Sequence, residues 1–131
     1  MFLSNTAMTR AVPIYWKSKP IARVCYSYKD AETINLGILM EDTVYASRQL
    51  ELLLFGEYRK RIKVILFTDS ESTLESIASS KQIERKTLRQ TVVDLKERLV
   101  DGDVHSFSWL RTQVMMADLM TKEMRVPINL E

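Results

Sequence analysis

From Asp30 to Phe55 the chain has no glycine or proline except Gly37, and Gly56 closes the stretch. Its apolar residues recur at helical spacing, which predicts one long helix. At 100° per residue Ile34, Ile38, Tyr45 and Leu52 fall within about 40° of one another, while Leu36, Leu39, Leu50 and Leu54 gather on the opposite side. A helix apolar on both sides is expected to be covered on both, by its own domain or by a partner. Leu88, Val92, Leu95 and Leu99, spaced four, three and four apart, predict a second helix over 87–100 that ends at Asp101-Gly102-Asp103. Between the two, Ile62-Lys63-Val64-Ile65-Leu66-Phe67 has almost no polar alternation, the pattern of an interior strand covered on both faces. It ends at Thr68-Asp69-Ser70, and Ser70 or Ser72 can cap a short helix running to Ser79.

Shorter signals complete the order. Ile14-Tyr15-Trp16 and Ala22-Arg23-Val24-Cys25-Tyr26 are β-branched and aromatic runs separated by Pro20, and both predict strands. Met1 to Asn5 reads as a further strand, with Pro13 allowed at a strand start or edge. Val104 to Leu110 alternates as a strand, Ser80 to Lys86 is a polar, basic joint, and 113–124 is a last helix. Neither a repeat nor a linker interrupts the chain, so a single domain over 1–131 is expected.

Composition narrows the class. With 131 residues, 46% of them hydrophobic and 27% charged, the sequence is globular rather than disordered. Only three Gly and three Pro argue against a small all-β fold made of tight turns. The apolar runs are too short to cross a bilayer, and Met1-Phe2-Leu3-Ser4 lacks the basic start and long apolar region of a secretory signal. A single cysteine, Cys25, forms no internal disulfide, and no Cys/His cluster suits a structural zinc. An intracellular domain, cytoplasmic or nuclear and without membrane attachment, is the expectation.

The net charge of +2 is unevenly spread. Residues 1–29 carry Arg10, Lys17, Lys19, Arg23 and Lys29 and no acid, so all 17 Asp and Glu lie beyond them. Lysine and arginine facing a polyanion gain by releasing its counterions, and a solvated strand face explains the same residues without a ligand. Three acids stand where chemistry would place them. Asp69 is at the carboxyl end of the predicted interior strand, where open α/β sheets carry their sites. Glu32 is in the first turn of the long helix, and Asp118 is in the last. Carboxylates brought together from three elements suit Mg²⁺, which prefers oxygen ligands. Singly, each is equally an acid at a helix end.

These pieces resemble, in order, the ribonuclease H domain at the carboxyl end of the polyproteins of copia-type LTR retrotransposons. Trp16-Lys17-Ser18-Lys19 resembles that family's W-x-S-K strand, and Ser27-Tyr28-Lys29-Asp30-Ala31-Glu32 resembles S-S-T-E-A-E. Phe67-Thr68-Asp69-Ser70-Glu71-Ser72 is similar to the T-D-N-Q-S stretch, and Ala117-Asp118-Leu119-Met120-Thr121-Lys122 to A-D-x-x-T-K. Gly102 and Trp109-Leu110-Arg111-Thr112 fit the intervening strand and loop. The resemblance spans Pro13 to Met124. It implies an α/β, ribonuclease H-like fold, a mixed sheet flanked by helices. It also implies Glu32, Asp69 and Asp118 as catalytic metal ligands of a two-Mg²⁺ site that cuts RNA in RNA–DNA hybrids. Lys17, Lys19, Arg23, Lys81, Arg85, Lys86 and Arg89 are then the groups placed to meet phosphates.

The chain also departs from the pattern. The family's first, central strand carries the first catalytic Asp, yet aligning Trp16 puts Met1 to Asn5 on the second strand, and no acid precedes Asp30. Asp30 points about 200° away from Glu32 on the same turn and is a poor substitute. His105 falls on a strand rather than in the loop where related enzymes carry a histidine for product release, and reads as structural. Trp109, Met115, Met116, Met120 and Met124 read as core or interface. The expectation is therefore a retrotransposon-derived ribonuclease H-like domain, lacking its usual first strand, incomplete as a catalyst and acting in nucleic-acid or protein binding. Two alternatives stand beside it. One is an active enzyme whose missing Asp comes from another chain or from polyprotein upstream; the other is a domesticated dimerising module with no nucleic-acid role. A homodimer, through the unpaired edge of the interior strand or through the long helix, is expected, with an RNA–DNA hybrid or other nucleic acid as the further candidate partner.

Overall fold

A computed structural model describes residues 1–7, 9–15, 17, 27–79 and 86–111. It is a mixed α/β structure whose described elements run β1 (Phe2–Ser4), β2 (Ala11–Pro13), α1 (Tyr28–Phe55), β3 (Ile65–Thr68), α2 (Glu71–Ala78), α3 (Lys86–Asp101) and β4 (Ser106–Trp109). The chain divides into two compact units, Met1–Pro20 with Arg111–Glu131, and Ile21–Leu110.

In the first unit β1 and β2 form an antiparallel hairpin, with Phe2 opposite Pro13 and Ser4 opposite Ala11. The pairing extends past the strands: Ile14 N donates to Met1 O at 3.0 Å, and the terminal ammonium of Met1 donates to Tyr15 O at 2.7 Å. Its turn is organised by Asn5, whose Oδ1 accepts from the backbone N–H of Thr9 and of Arg10. The second predicted strand thus begins three residues earlier than Ile14, and Pro13 closes it rather than opening it. Trp16 and the predicted strand Ala22 to Tyr26 lie outside the described residues, as does the predicted helix 113–124.

The second unit is built on α1. Ser27 caps it: Asp30 N donates to Ser27 Oγ at 3.2 Å, and Ser27 Oγ donates in turn to Asp30 Oδ1 at 3.0 Å. This reciprocal pair satisfies a first-turn amide and buries Asp30. Gly56, at φ 75°, ends the helix in the left-handed region that glycine tolerates. One face of α1, Leu36, Met40 and Val44, packs with Val64, Leu66, Ile77, Leu95 and Val104 into the core, and Leu39, Leu74 and Phe107 press against it. The pattern predicted cover on both sides. The structure instead leaves Ile38, Tyr45 and Leu52 at 42%, 67% and 46% exposure, because a two-stranded sheet and two helices cover one face of a 28-residue helix only. The opposite stripe also divides: Leu36 and Leu39 are covered within the chain, and Leu54 beyond them is exposed.

β3 pairs in parallel with β4, Ile65 opposite Ser106 and Thr68 opposite Trp109. The ladder is extended at both ends by His105 N to Val64 O (2.8 Å) and Leu110 N to Thr68 O (2.9 Å). Parallel neighbours need a crossover, which α2 and α3 provide. Two predictions need correction. The strand is four residues, Ile65–Thr68, rather than the six of 62–67, and its burial alternates, Leu66 and Thr68 inside, Ile65 and Phe67 half-covered, because only one face meets the core. Nor do the described strands form one mixed sheet: their hydrogen bonds make two separate two-stranded sheets. Three-residue strands as exposed as β1 and β2 contribute no apolar face, and among the described residues β3 is paired along one edge only.

α1 and α3 run in the same direction, Gly37 against Thr91 and Glu41 against Arg98. A Cβ on Gly37 would meet Thr91 Cγ2 at 2.8 Å, so glycine is what lets the two helices approach. Among the described residues no helix is long and apolar enough to cross a membrane.

Candidate functional site

Of the described candidate residues, Asp69 follows the carboxyl end of β3, and Glu32 lies near the start of α1. Because α1 begins at Tyr28, Glu32 is half-buried in its second turn rather than in the first as predicted, and Asp69 is half-buried one residue past β3. What joins their elements is a chain of buried hydroxyls. Thr33, fully buried, donates its Oγ1 proton to Lys29 O at 2.8 Å and lies 3.2 Å from Thr73 Oγ1. Thr73 Oγ1 donates to Ser70 Oγ at 2.9 Å, with Ser72 Oγ 3.3 Å beyond. The second turn of α1 is thereby brought against the first turn of α2, which follows Asp69 in the chain. Ser70 is the N-cap of α2, as its place after the strand predicted, but its hydroxyl faces this network rather than a helix amide. Its own N–H donates to Thr68 Oγ1 at 3.2 Å, and Trp109 Nε1 donates to Asp69 O at 3.2 Å. Trp109 is 48% exposed and so is not a core residue; its indole fastens the turn that carries Asp69.

Since α3 runs parallel to α1, its first turn, with Lys86 exposed and Arg89 half-buried, stands at this same end. Lys17 is exposed in the first unit. Asp118, Lys19, Arg23, Lys81 and Arg85 lie outside the described residues. Glu32 and Asp69 offer carboxylate oxygens, the donors Mg²⁺ takes. Among the described residues no three His, Cys, Asp or Glu side chains gather to hold a metal. Asp30 is committed to Ser27. The side chain of His105 is exposed, and its backbone extends the β3–β4 ladder.

The opposite end of the strands carries a charged cluster that the sequence did not reveal. Asp103, 7% exposed, accepts from Tyr58 Oη at 2.7 Å, Arg98 Nη1 at 2.9 Å and Arg48 Nη2 at 3.4 Å, with Lys60 Nζ at 3.6 Å. Burial pushes its pKa up, but hydrogen bonds from Tyr58 and Arg98 and the charges of Lys60 and Arg48 outweigh that and hold it at about 2. Burial, then the bond to Asp103, raises the Tyr58 phenol. Arg48 also lies over the Tyr58 ring, 5.1 Å from its centre.

Beside this cluster Glu51, with no exposed surface, accepts from three successive backbone amides. These are Lys60 at 3.2 Å, Arg61, and Ile62 at 3.0 Å. Lys60 sits at φ 55°, a left-handed conformation unusual for a side-chain-bearing residue, and the carboxylate holds the loop in it. Both acids are accounted for by fastening α1, α3 and the loop 56–63 together.

No protein-family model, curated protein or solved structure matches the chain.

Proposed function

We propose that this chain is a ribonuclease H-like domain of copia-type retrotransposon descent, incomplete as a catalyst, that binds nucleic acid through the carboxyl end of its β3–β4 sheet. One observation carries the reading. The unit Ile21–Leu110 runs helix, strand, helix, helix, strand with β3 and β4 parallel, the order the motifs require, and Glu32, Asp69, Lys86 and Arg89 come to one end of it. The resemblance assigns Glu32 and Asp69 as metal ligands, together with Asp118, which lies outside the described residues. The fourth acid of the family has no counterpart before Asp30, and a ligand set short of one charge misplaces its Mg²⁺ ions. A misplacement of about 1 Å costs about 10²-fold in rate. Lys86 and Arg89 would then serve binding, by contacts to phosphate that carry no sequence preference.

A labelled RNA–DNA hybrid tests both halves. Retention of the hybrid that weakens with salt, and weakens further in Lys86→Glu/Arg89→Glu, without Mg²⁺-dependent cutting, is the expected result. Cutting at ordinary enzyme rates, abolished by Asp69→Asn, would restore the active-enzyme reading. No retention at low salt would remove the nucleic-acid role and leave a protein-interaction module, which the exposed stripe of α1 favours as the second reading.

A further inference from the structure

The face of α1 that the core leaves uncovered is ordered in a way that selects its occupant. Ile38, Tyr45 and Leu52 are spaced seven residues apart, so each lies only about 20° round from the last. They form a straight apolar stripe along the middle of the helix, at 42%, 67% and 46% exposure. Stripes of this spacing pair helices side by side. Opposite charges stand along one side of the stripe about Tyr45: Glu41 four residues before it and Arg48 three residues after, within about 20° of each other round the helix. We propose that this face binds a second copy of the chain, α1 against α1 antiparallel, with the two-fold axis at Tyr45.

In that arrangement residues at matching distances on either side of Tyr45 and on the same side of the stripe face each other. Ile38 meets the partner's Leu52 and Glu41 meets the partner's Arg48, each pairing occurring twice, while Tyr45 meets the partner's Tyr45 once, on the axis, as a two-fold interface requires. A parallel pair would instead set Glu41 on Glu41 and Arg48 on Arg48. Arg48 can accept the additional carboxylate: its side chain is 40% exposed and its contact with Asp103 is long, at 3.4 Å. The helix is long enough for the task, since 28 residues at 1.5 Å each span about 42 Å. This assignment replaces the Leu36 and Leu39 side as the dimer face, because those residues are covered within the chain. It is independent of nucleic-acid binding, whose residues are not on this stripe.

Sedimentation equilibrium of the full chain at micromolar concentration should give twice the 15.3 kDa chain mass. Tyr45→Glu, at an exposed position, should weaken association on the order of 10²-fold, the loss expected for a central aromatic anchor. Cysteine pairing gives a second readout in a Cys25→Ser background. Packed helix axes stand about 8–10 Å apart, which brings facing Cα atoms within disulfide reach. Tyr45→Cys should therefore cross-link to itself, Ile38→Cys should not, and a mixture of Ile38→Cys with Leu52→Cys should. A monomer at 15.3 kDa would overturn the proposal and assign the face to another segment or partner. So would a dimer indifferent to Tyr45→Glu, which would point to the β3 edge, and so would self-cross-linking of Ile38→Cys, which means parallel helices.

Discussion

The two ends of the β3–β4 sheet are fastened by opposite chemistry. At the amino end the fasteners are buried acidic side chains: Glu51 on three amides, Asp103 among Tyr58, Arg98, Arg48 and Lys60. At the carboxyl end they are neutral: Thr33, Thr73, Ser70 and Ser72 pass hydroxyl contacts from α1 to α2. A charge taken out of water must be matched by donors already in place, so such a group is costly to disturb and poorly suited to meeting a ligand. Hydroxyls fix the same geometry at lower cost and leave the local charge to other groups. The difference separates an end held by buried carboxyl groups from one held by neutral hydroxyls.

Mutations can break that contrast, and the largest effect belongs to the amino end. Glu51→Ala should strand the amides of Lys60, Arg61 and Ile62 together. At about 1–3 kcal/mol for each unpaired buried donor, the loss should exceed about 3 kcal/mol and be visible in urea unfolding. Asp103→Asn should follow, costing about 3 kcal/mol, since Arg98 and its neighbours would face a neutral amide in a buried site.

Acid titrates the same residue. Its folded pKa of about 2 is depressed from 3.8, so its contribution is fully present above pH 4 and fades as pH falls towards 2. Roughly 2 kcal/mol should be lost over that window, measurable as a pH-dependent midpoint that Asp103→Asn flattens. At the carboxyl end the effect should be smallest. Thr73→Val removes a buried hydroxyl of nearly the same shape and should cost about 1 kcal/mol. An equal loss from Thr73→Val and Asp103→Asn would erase the distinction between the two ends.

How much of this was legible in the sequence follows the same division. Spacing located α1 and α3 to within two residues, and Gly56 marked its boundary, because periodicity and glycine punctuation are local signals. The turn carrying Asp69 was placed correctly for the same reason. Glu51 was invisible: near a helix end it reads as solvated, and its partners are backbone amides, which every residue but proline carries. Asp103 read as a helix stop, although Arg48, its partner on α1, lies 55 residues away. The stripes of α1 were both seen, but which of them would stay uncovered depends on the size of the sheet beneath. The single continuous sheet failed because strand runs announce strands and not their neighbours.

The clamp on the loop 56–63 has a consequence for proteolysis. Arg59-Lys60-Arg61 is the densest run of trypsin sites among the described residues, in a surface loop of the kind proteases ordinarily nick first. The bonds after those three residues end in the amide nitrogens of Lys60, Arg61 and Ile62, the same three that Glu51 holds. A protease needs such a bond drawn out straight in its cleft, which means pulling a buried carboxylate off all three at once. Trypsin should therefore reach this run only when α1 loosens from the loop, and its rate of cutting there becomes a clock for that opening.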